Sequence, residues 1–164
     1  MGSSKEKVIE SVDKVTVEND LIKRKFRMLV NRFSDNMAAI VSQKATKSKS
    51  GLKIYGIYDD EIGDDYYIAL GEKSIDIDPF LVYVALIRDQ ERIKVIVFVG
   101  EESRKIIKAS RIAKEISLKL GGTGGGGTDK FAQGGGRDKS KIHDCLKNLG
   151  NLLTDILDSS EKNG

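Results

Sequence analysis

The sequence predicts an α+β protein: a long, coiled-coil-like helical arm over residues 5–43, a linker over 44–51, and a small α/β globule over 52–158 in which helices pack on a sheet of three or more strands. Three observations predict it. An apolar seam recurs at alternating steps of four and three residues along the first part of the chain. Two neighbouring runs, FLVYVALIR and IKVIVFV, are dense in β-branched and aromatic residues. Helical apolar periods then stand on either side of one glycine-rich stretch, Leu120 to Asp138.

The seam of the arm is Val8, Val12, Val15, Asn19, Ile22, Phe26, Leu29, Phe33, Asn36 and Ile40, a heptad pattern that no proline interrupts. A helix from Lys5 to Ser42 would run roughly 55 Å, more than a globule of this size covers from one side. Its apolar face therefore needs a partner: the same helix in a second chain, the remainder of a longer parent protein, or its own domain folded back on it. Val12, Val15, Asn19, Ile22, Phe26, Leu29 and Phe33 are the candidate dimerisation residues, with Asn19 at a position where a polar residue commonly fixes register.

The connector QKATKSKSG, Gln43 to Gly51, is polar and marks the boundary of the globule. Leu52 to Tyr58 reads as a strand that ends in an acidic turn, and Asp64 to Ser74 as a helix weakened by Gly71 and broken over Asp76 to Pro79. Phe80–Arg88 and Ile93–Val99, joined by the turn DQER, predict a β-hairpin. Ala109, Ile112, Ala113, Ile116 and Leu120 mark an amphipathic helix from near Ser110 to Gly121. Asp138 is placed to cap a last helix running to Leu157, with Ile142, Leu146, Leu149, Leu153, Ile156 and Leu157 inward, before a polar tail over 159–164.

Nine of the seventeen glycines fall between Leu120 and Asp138. Glycine at this density costs folding entropy and is useful where the main chain approaches another surface closely or turns bare N–H groups toward an anion. A flexible linker is the plain alternative, but Phe131 and Ala132, surrounded by Asp129, Lys130, Gln133 and Arg137, do not suit one. Charge adds a second signal. Asp59 to Asp78 carries eight carboxylates against Lys73, while Ser103 to Lys141 carries ten cations against Glu115, Asp129 and Asp138. A basic segment that contains the glycine stretch reads as a footprint for phosphate, where an isolated charge run would read as a solvated helix face.

A chain of 164 residues, 39% hydrophobic and 32% charged, has enough apolar material for one real core. The lone Cys145 excludes an intrachain disulfide and fits a reducing, cytoplasmic setting, and the apolar runs are too short to cross a bilayer. No signal peptide is visible, and Met1-Gly2-Ser3-Ser4 reads as an initiator with a cloning remnant on a piece of a longer protein. No catalytic or metal site is expected. His143 and Cys145 stand two apart on a helix and face different ways, and one histidine with one cysteine falls short of a zinc ligand set. The acidic residues at 59–65 read as a solvated turn.

Lys108-Ala109-Ser110, Ala113-Lys114-Glu115-Ile116, Leu120 to Gly126, Asp129 and Phe131-Ala132-Gln133-Gly134-Gly135-Gly136 together resemble the C-terminal domain of alanyl-tRNA synthetases, the alanyl branch of the DHH-associated domain family. The resemblance is specific over residues 93–140; upstream only the order of elements agrees. It implies a non-catalytic RNA-binding domain that grips the elbow of tRNA, where the D and T loops meet, and links charging to editing. In some members the arm joins two synthetases into a homodimer. On this reading Gly124, Gly125, Gly126, Gly127, Gly134, Gly135 and Gly136 lie against the RNA, and Gln133 reaches a base or ribose edge. Lys108, Arg111, Lys130 and Arg137 meet phosphates, while Phe131 pins the loop to the core. Gln133 and Asp129 serve equally well as braces within the loop. ATP, alanine and zinc belong to the rest of such a synthetase, so no cofactor and no membrane contact is expected here. Related DHH phosphoesterases usually carry histidine after this glycine stretch. Thr128 stands there in this chain, and no Asp-His-His segment is present. An oligomerisation module without RNA binding, or an oligonucleotide-binding module of such a phosphoesterase, is the alternative.

Overall fold

The computed structural model describes residues 2–161, so the expected remnant at 1–4 and tail at 159–164 lie partly outside the described residues. The first helix, α1 (Gly2–Lys44), is continuous over 43 residues, a length of about 65 Å. Its last third belongs to the globule by packing, because Ser34, Ala38 and Val41 are fully buried there. They meet α2 (Asp64–Ile77), and Lys73 pairs with Asp35 across the two helices. Before Ser34 the seam is more than half exposed at every apolar position, although the Phe33 ring packs on Tyr66 of α2 at 5.5 Å between centroids.

Six strands form one mixed sheet: β1 (Thr46–Lys47), β2 (Lys53–Asp59), β3 (Leu81–Asp89), β4 (Arg92–Val99), β5 (Gly124–Gly127) and β6 (Phe131–Gly136), in the order β1-β2-β3-β4-β6-β5. Only β2 and β3 run parallel, with α2 as the crossover between them. The β3–β4 hairpin turns on Gln90 and Glu91, where Gln90 takes φ +52, the left-handed conformation a two-residue turn needs at its first position. Helices α3 (Ala109–Lys119), α4 (Ile142–Lys147) and α5 (Leu149–Glu161) cover the opposite face from α1 and α2.

The alternation of side chains across the pleat makes two cores. Val82, Val84, Leu86, Ile93, Val95 and Val97 face α3, α4 and α5, while Leu81, Tyr83, Ala85, Ile87, Ile96 and Phe98 face α1 and α2. Burial on both sides explains why β3 and β4 read as unbroken apolar runs. Gly71, which weakened the expectation for α2, is there for packing. A Cβ on it would lie 2.5 Å from the Phe98 ring and 2.8 Å from that of Tyr83.

Four segments differ from their sequence reading. The glycine stretch is a β-hairpin, β5–β6, and not a loop. The presumed linker contributes the edge strand β1. Helix α2 runs on to Ile77, so its break comes at Asp78 and Pro79. The last helix is divided at Asn148 and continues to Glu161, so the first three residues of the expected tail, 159–161, are helical. Asp138 does cap, accepting from Ser140 N at 3.2 Å at the head of a 3-10 turn. One buried carboxylate ties the corner where α1, β2 and β3 meet: Asp78 accepts from Lys53 Nζ at 2.5 Å, Ser42 Oγ at 2.7 Å and Phe80 N at 3.1 Å. Burial pushes the Asp78 carboxyl up, but these three bonds outweigh it and hold it below the usual carboxylate range.

Candidate nucleic-acid interface

Helix α3 and the glycine hairpin are bound together through backbone. The first helical N–H groups, Ala109 and Ser110, donate to Asp129 O and Thr128 O in the hairpin turn, at 3.0 and 3.2 Å. At the far end Gly121, at φ +73, carries the chain out of the helix, and Gly122 N donates to Ser117 O at 2.8 Å. Between them the buried Ser117 hydroxyl donates to Ala113 O at 2.6 Å and accepts from Gly135 N at 3.1 Å. The N-terminus of α3 is therefore occupied by the protein's own carbonyls. The anion-holding turn expected from the sequence is replaced by a flat ladder.

That contact explains most of the glycines. A Cβ on Gly134 would lie 2.0 Å from Ser117 Oγ, one on Gly136 2.4 Å from Leu120 Cβ, and one on Gly125 3.0 Å from Ala113 C. One on Gly127 would meet Phe131 O at 2.4 Å, at φ +151. Gly126 is different. Nothing lies within 4 Å of the place its Cβ would take, and its φ is ordinary, so the fold does not require glycine there. Gly126 pairs with Gln133, and both are exposed on the face of the hairpin turned away from α3. Helix α2 packs on β3 and β4, leaving this face open beyond Phe131, whose ring packs against Phe98 at 4.6 Å between centroids. Gln133 is thus displayed, while Phe131 pins the hairpin, as the sequence suggested.

Cations are distributed around this bare face. At the turn end, Lys108 pairs with Asp129 at 3.2 Å and Lys130 lies 3.8 Å from Glu72. Arg137 is exposed at the other end, where it lines a groove with Arg92, Lys94 and Gly121 to Gly124. Lys94 is engaged: Asp64 holds it at 2.8 Å and Asp89 at 3.3 Å, which raises the lysine pKa and lowers that of Asp64. Arg111 departs from expectation. Its guanidinium donates to Ser160 Oγ of α5, which directs it away from the hairpin. Lys114 and Thr123 border β5 instead. Lys114 was legible as a polar position on the helix surface next to Ala113; Arg92 was not, because only the β4–β6 register, which pairs its neighbour Ile93 with Gly136, brings it into the groove with Arg137.

The other nominated features stand apart from this face. His143 is exposed and Cys145 buried on α4. Burial pushes the thiol up from its ordinary value. Asp59 Oδ2 accepts from Ile62 N and Glu61 N, which makes the acidic segment a self-bonded turn. Among the described residues no group of three or more His, Cys, Asp or Glu could hold a metal, and no helix is long and apolar enough to cross a membrane. On the arm, Val12, Val15, Ile22, Phe26, Leu29 and Phe33 are 53–66% exposed, and Asn19 is exposed with them.

Comparison with known proteins places this arrangement. Residues 68–155 match the DHHA1 domain. An alanine–tRNA ligase from Cenarchaeum symbiosum is 36% identical over 93 residues, 56% of this chain and 10% of that protein. One from Rickettsia canadensis is 26% identical over 154 residues, 94% of this chain and 17% of the relative. The chain thus spans less than a fifth of the length of these relatives. Its fold is that of the C-Ala domain from Aquifex aeolicus alanyl-tRNA synthetase, with a TM-score of 0.60 and 24% identity over 70% of this chain and 97% of that one. With more than half of its residues inside the match, the chain belongs to the DHHA1 domain family, and it is similar to the C-terminal, non-catalytic domain of alanyl-tRNA synthetases.

Proposed function

We propose that the chain is the C-terminal domain of a cytoplasmic alanyl-tRNA synthetase, that its glycine hairpin binds the elbow of tRNA, and that the arm helps to pair two synthetases. Binding there serves both the charging and the editing centre of the parent enzyme. The observation that carries this reading is Gly126: a strand residue whose missing side chain the fold does not need, set in an exposed peptide face between cations. Folded RNA is recognised by shape and by close approach of backbone to ribose and stacked bases. The face beside Gln133 suits such a surface, with Lys108, Lys130, Lys114, Arg92 and Arg137 in reach of flanking phosphates.

The test is a gel-shift titration with intact tRNA against a tRNA whose D and T loops cannot meet, at two salt concentrations. Intact tRNA should bind more tightly at both. Replacing Lys114 and Arg137 with Gln should lower the slope of log affinity against log salt by about 2. Equal binding of the two RNAs, or a slope that does not change, overturns the elbow reading. The reading of the domain as an assembly module alone is favoured by the open seam of α1, and it would be left standing by that result.

A further inference from the structure

The open seam of α1 is graded along its length. Its first three apolar layers are valines, Val8, Val12 and Val15, and its last three are large, Phe26, Leu29 and Phe33. All six are more than half exposed. Charge is graded in the same direction. Residues 5–20 carry five carboxylates, Glu6, Glu10, Asp13, Glu18 and Asp20, against three lysines. Residues 21–34 carry Lys23, Arg24, Lys25, Arg27 and Arg32 and no carboxylate.

From these two gradients we infer that the arm pairs with a second copy of itself in antiparallel register, centred between Asn19 and Ile22. This rests on the proposed pairing of arms and adds its direction and register. In that register Val8 faces the partner's Phe33, Val12 the partner's Leu29, and Val15 the partner's Phe26. Every small side chain meets a large one, so the layers have nearly even volume, as close packing requires. A parallel pair would place valine on valine at one end and phenylalanine on phenylalanine at the other, leaving voids in some layers and crowding in the rest. It would also set five cations against five. The antiparallel pair sets the acidic half of each arm along the basic half of its partner.

Asn19 is compatible with this register. The two copies of Asn19 lie about 4.5 Å apart along the axis, close enough to bond across the two-fold. Helix α2 meets α1 through Ser34, Ala38 and Val41 and reaches the end of the seam where Tyr66 packs on the Phe33 ring at 5.5 Å between centroids, yet Phe33 keeps 53% of its surface exposed, which leaves room beside it for the partner's N-terminal end. The two globules then sit at opposite ends of a double arm.

Disulfide partition tests the direction. In the full chain with Cys145→Ala, Val12→Cys and Leu29→Cys variants are mixed in a glutathione redox buffer. The mixed 12–29 disulfide should exceed the statistical half of all bridges; an excess of 12–12 and 29–29 overturns the inference. Because seam substitutions can weaken packing, a second measurement leaves the seam intact. Spin labels at Lys44→Cys in the Cys145→Ala chain should lie about 70 Å apart in the antiparallel pair, against about 10 Å in a parallel one. Association of the unsubstituted chain should weaken as salt rises, whereas a parallel pair should tighten. A monomer in sedimentation at tens of micromolar, the order of magnitude at which a specific pair of this size still holds, removes arm pairing and this inference together. Bridges of the wrong kind remove the inference alone.

Discussion

Hairpin β3–β4 and hairpin β5–β6 lie in the same sheet, are both antiparallel and meet along β4, yet they are held in place by different parts of the chain. In the first, apolar side chains leave both faces and fill both cores, and almost every residue of β3 is buried. In the second, seven of the ten strand residues are glycine. Its stability comes from backbone lying against the backbone of α3, with Ser117 bonded to Gly135 N and Phe131 to the Phe98 ring. One hairpin is a wall of the core. The other presents main chain to the outside because Phe131 and the buried Ala132 are the side chains of its own that hold it in place.

The contrast can be broken at three points, in falling order of effect on stability. Leu86→Ala, in the wall, should cost about 2–5 kcal/mol, because Leu86 is fully buried and the cavity cannot collapse between two packed faces. Chemical denaturation at constant slope measures it. Gly134→Ala should cost about 1–3 kcal/mol by overpacking, since its Cβ would fall 2.0 Å from Ser117 Oγ. Either the Ser117 hydroxyl turns away or α3 separates from β6, and in both cases Gly135 N loses its acceptor, so hydrogen exchange should quicken at Gly135 while β3 stays protected. A neutral result there would mean that the two hairpins are not held differently after all. Gly126→Ala should change stability by no more than about 0.5 kcal/mol, as for a surface site, and should still weaken binding of intact tRNA in the same titration. Normal binding by a normally folded Gly126→Ala protein would move the RNA site away from this face.

The wall was legible in the sequence and the bare hairpin was not, for one physical reason. Strand patterns are read from side chains, and β3 and β4 carry them at every position. Gly124 to Gly127 carry none, so four residues of regular ladder look like a loop. The glycines could be recognised as a place of close approach, but not that α3 is what approaches Gly125, Gly134 and Gly136. Charges followed the same division. Lys130 and Arg137 could be nominated because they adjoin the glycines in sequence, and Lys108 because it lies in the same basic segment. Arg92 arrives through strand register and Arg111 leaves through Ser160, both long-range facts. The seam of α1 was legible because a heptad repeat is a local pattern, and the helix keeps it exposed as far as Phe33.

Strand β5 is one of the two free margins of the sheet, and such margins ordinarily invite other chains to add on and polymerise. This one is a poor template. It is four residues long, and glycine offers no interlocking surface for a growing cross-β stack. A protein that must keep a strip of peptide accessible in a crowded cell can do so safely when the strip is short and made of a residue that seeds fibres poorly.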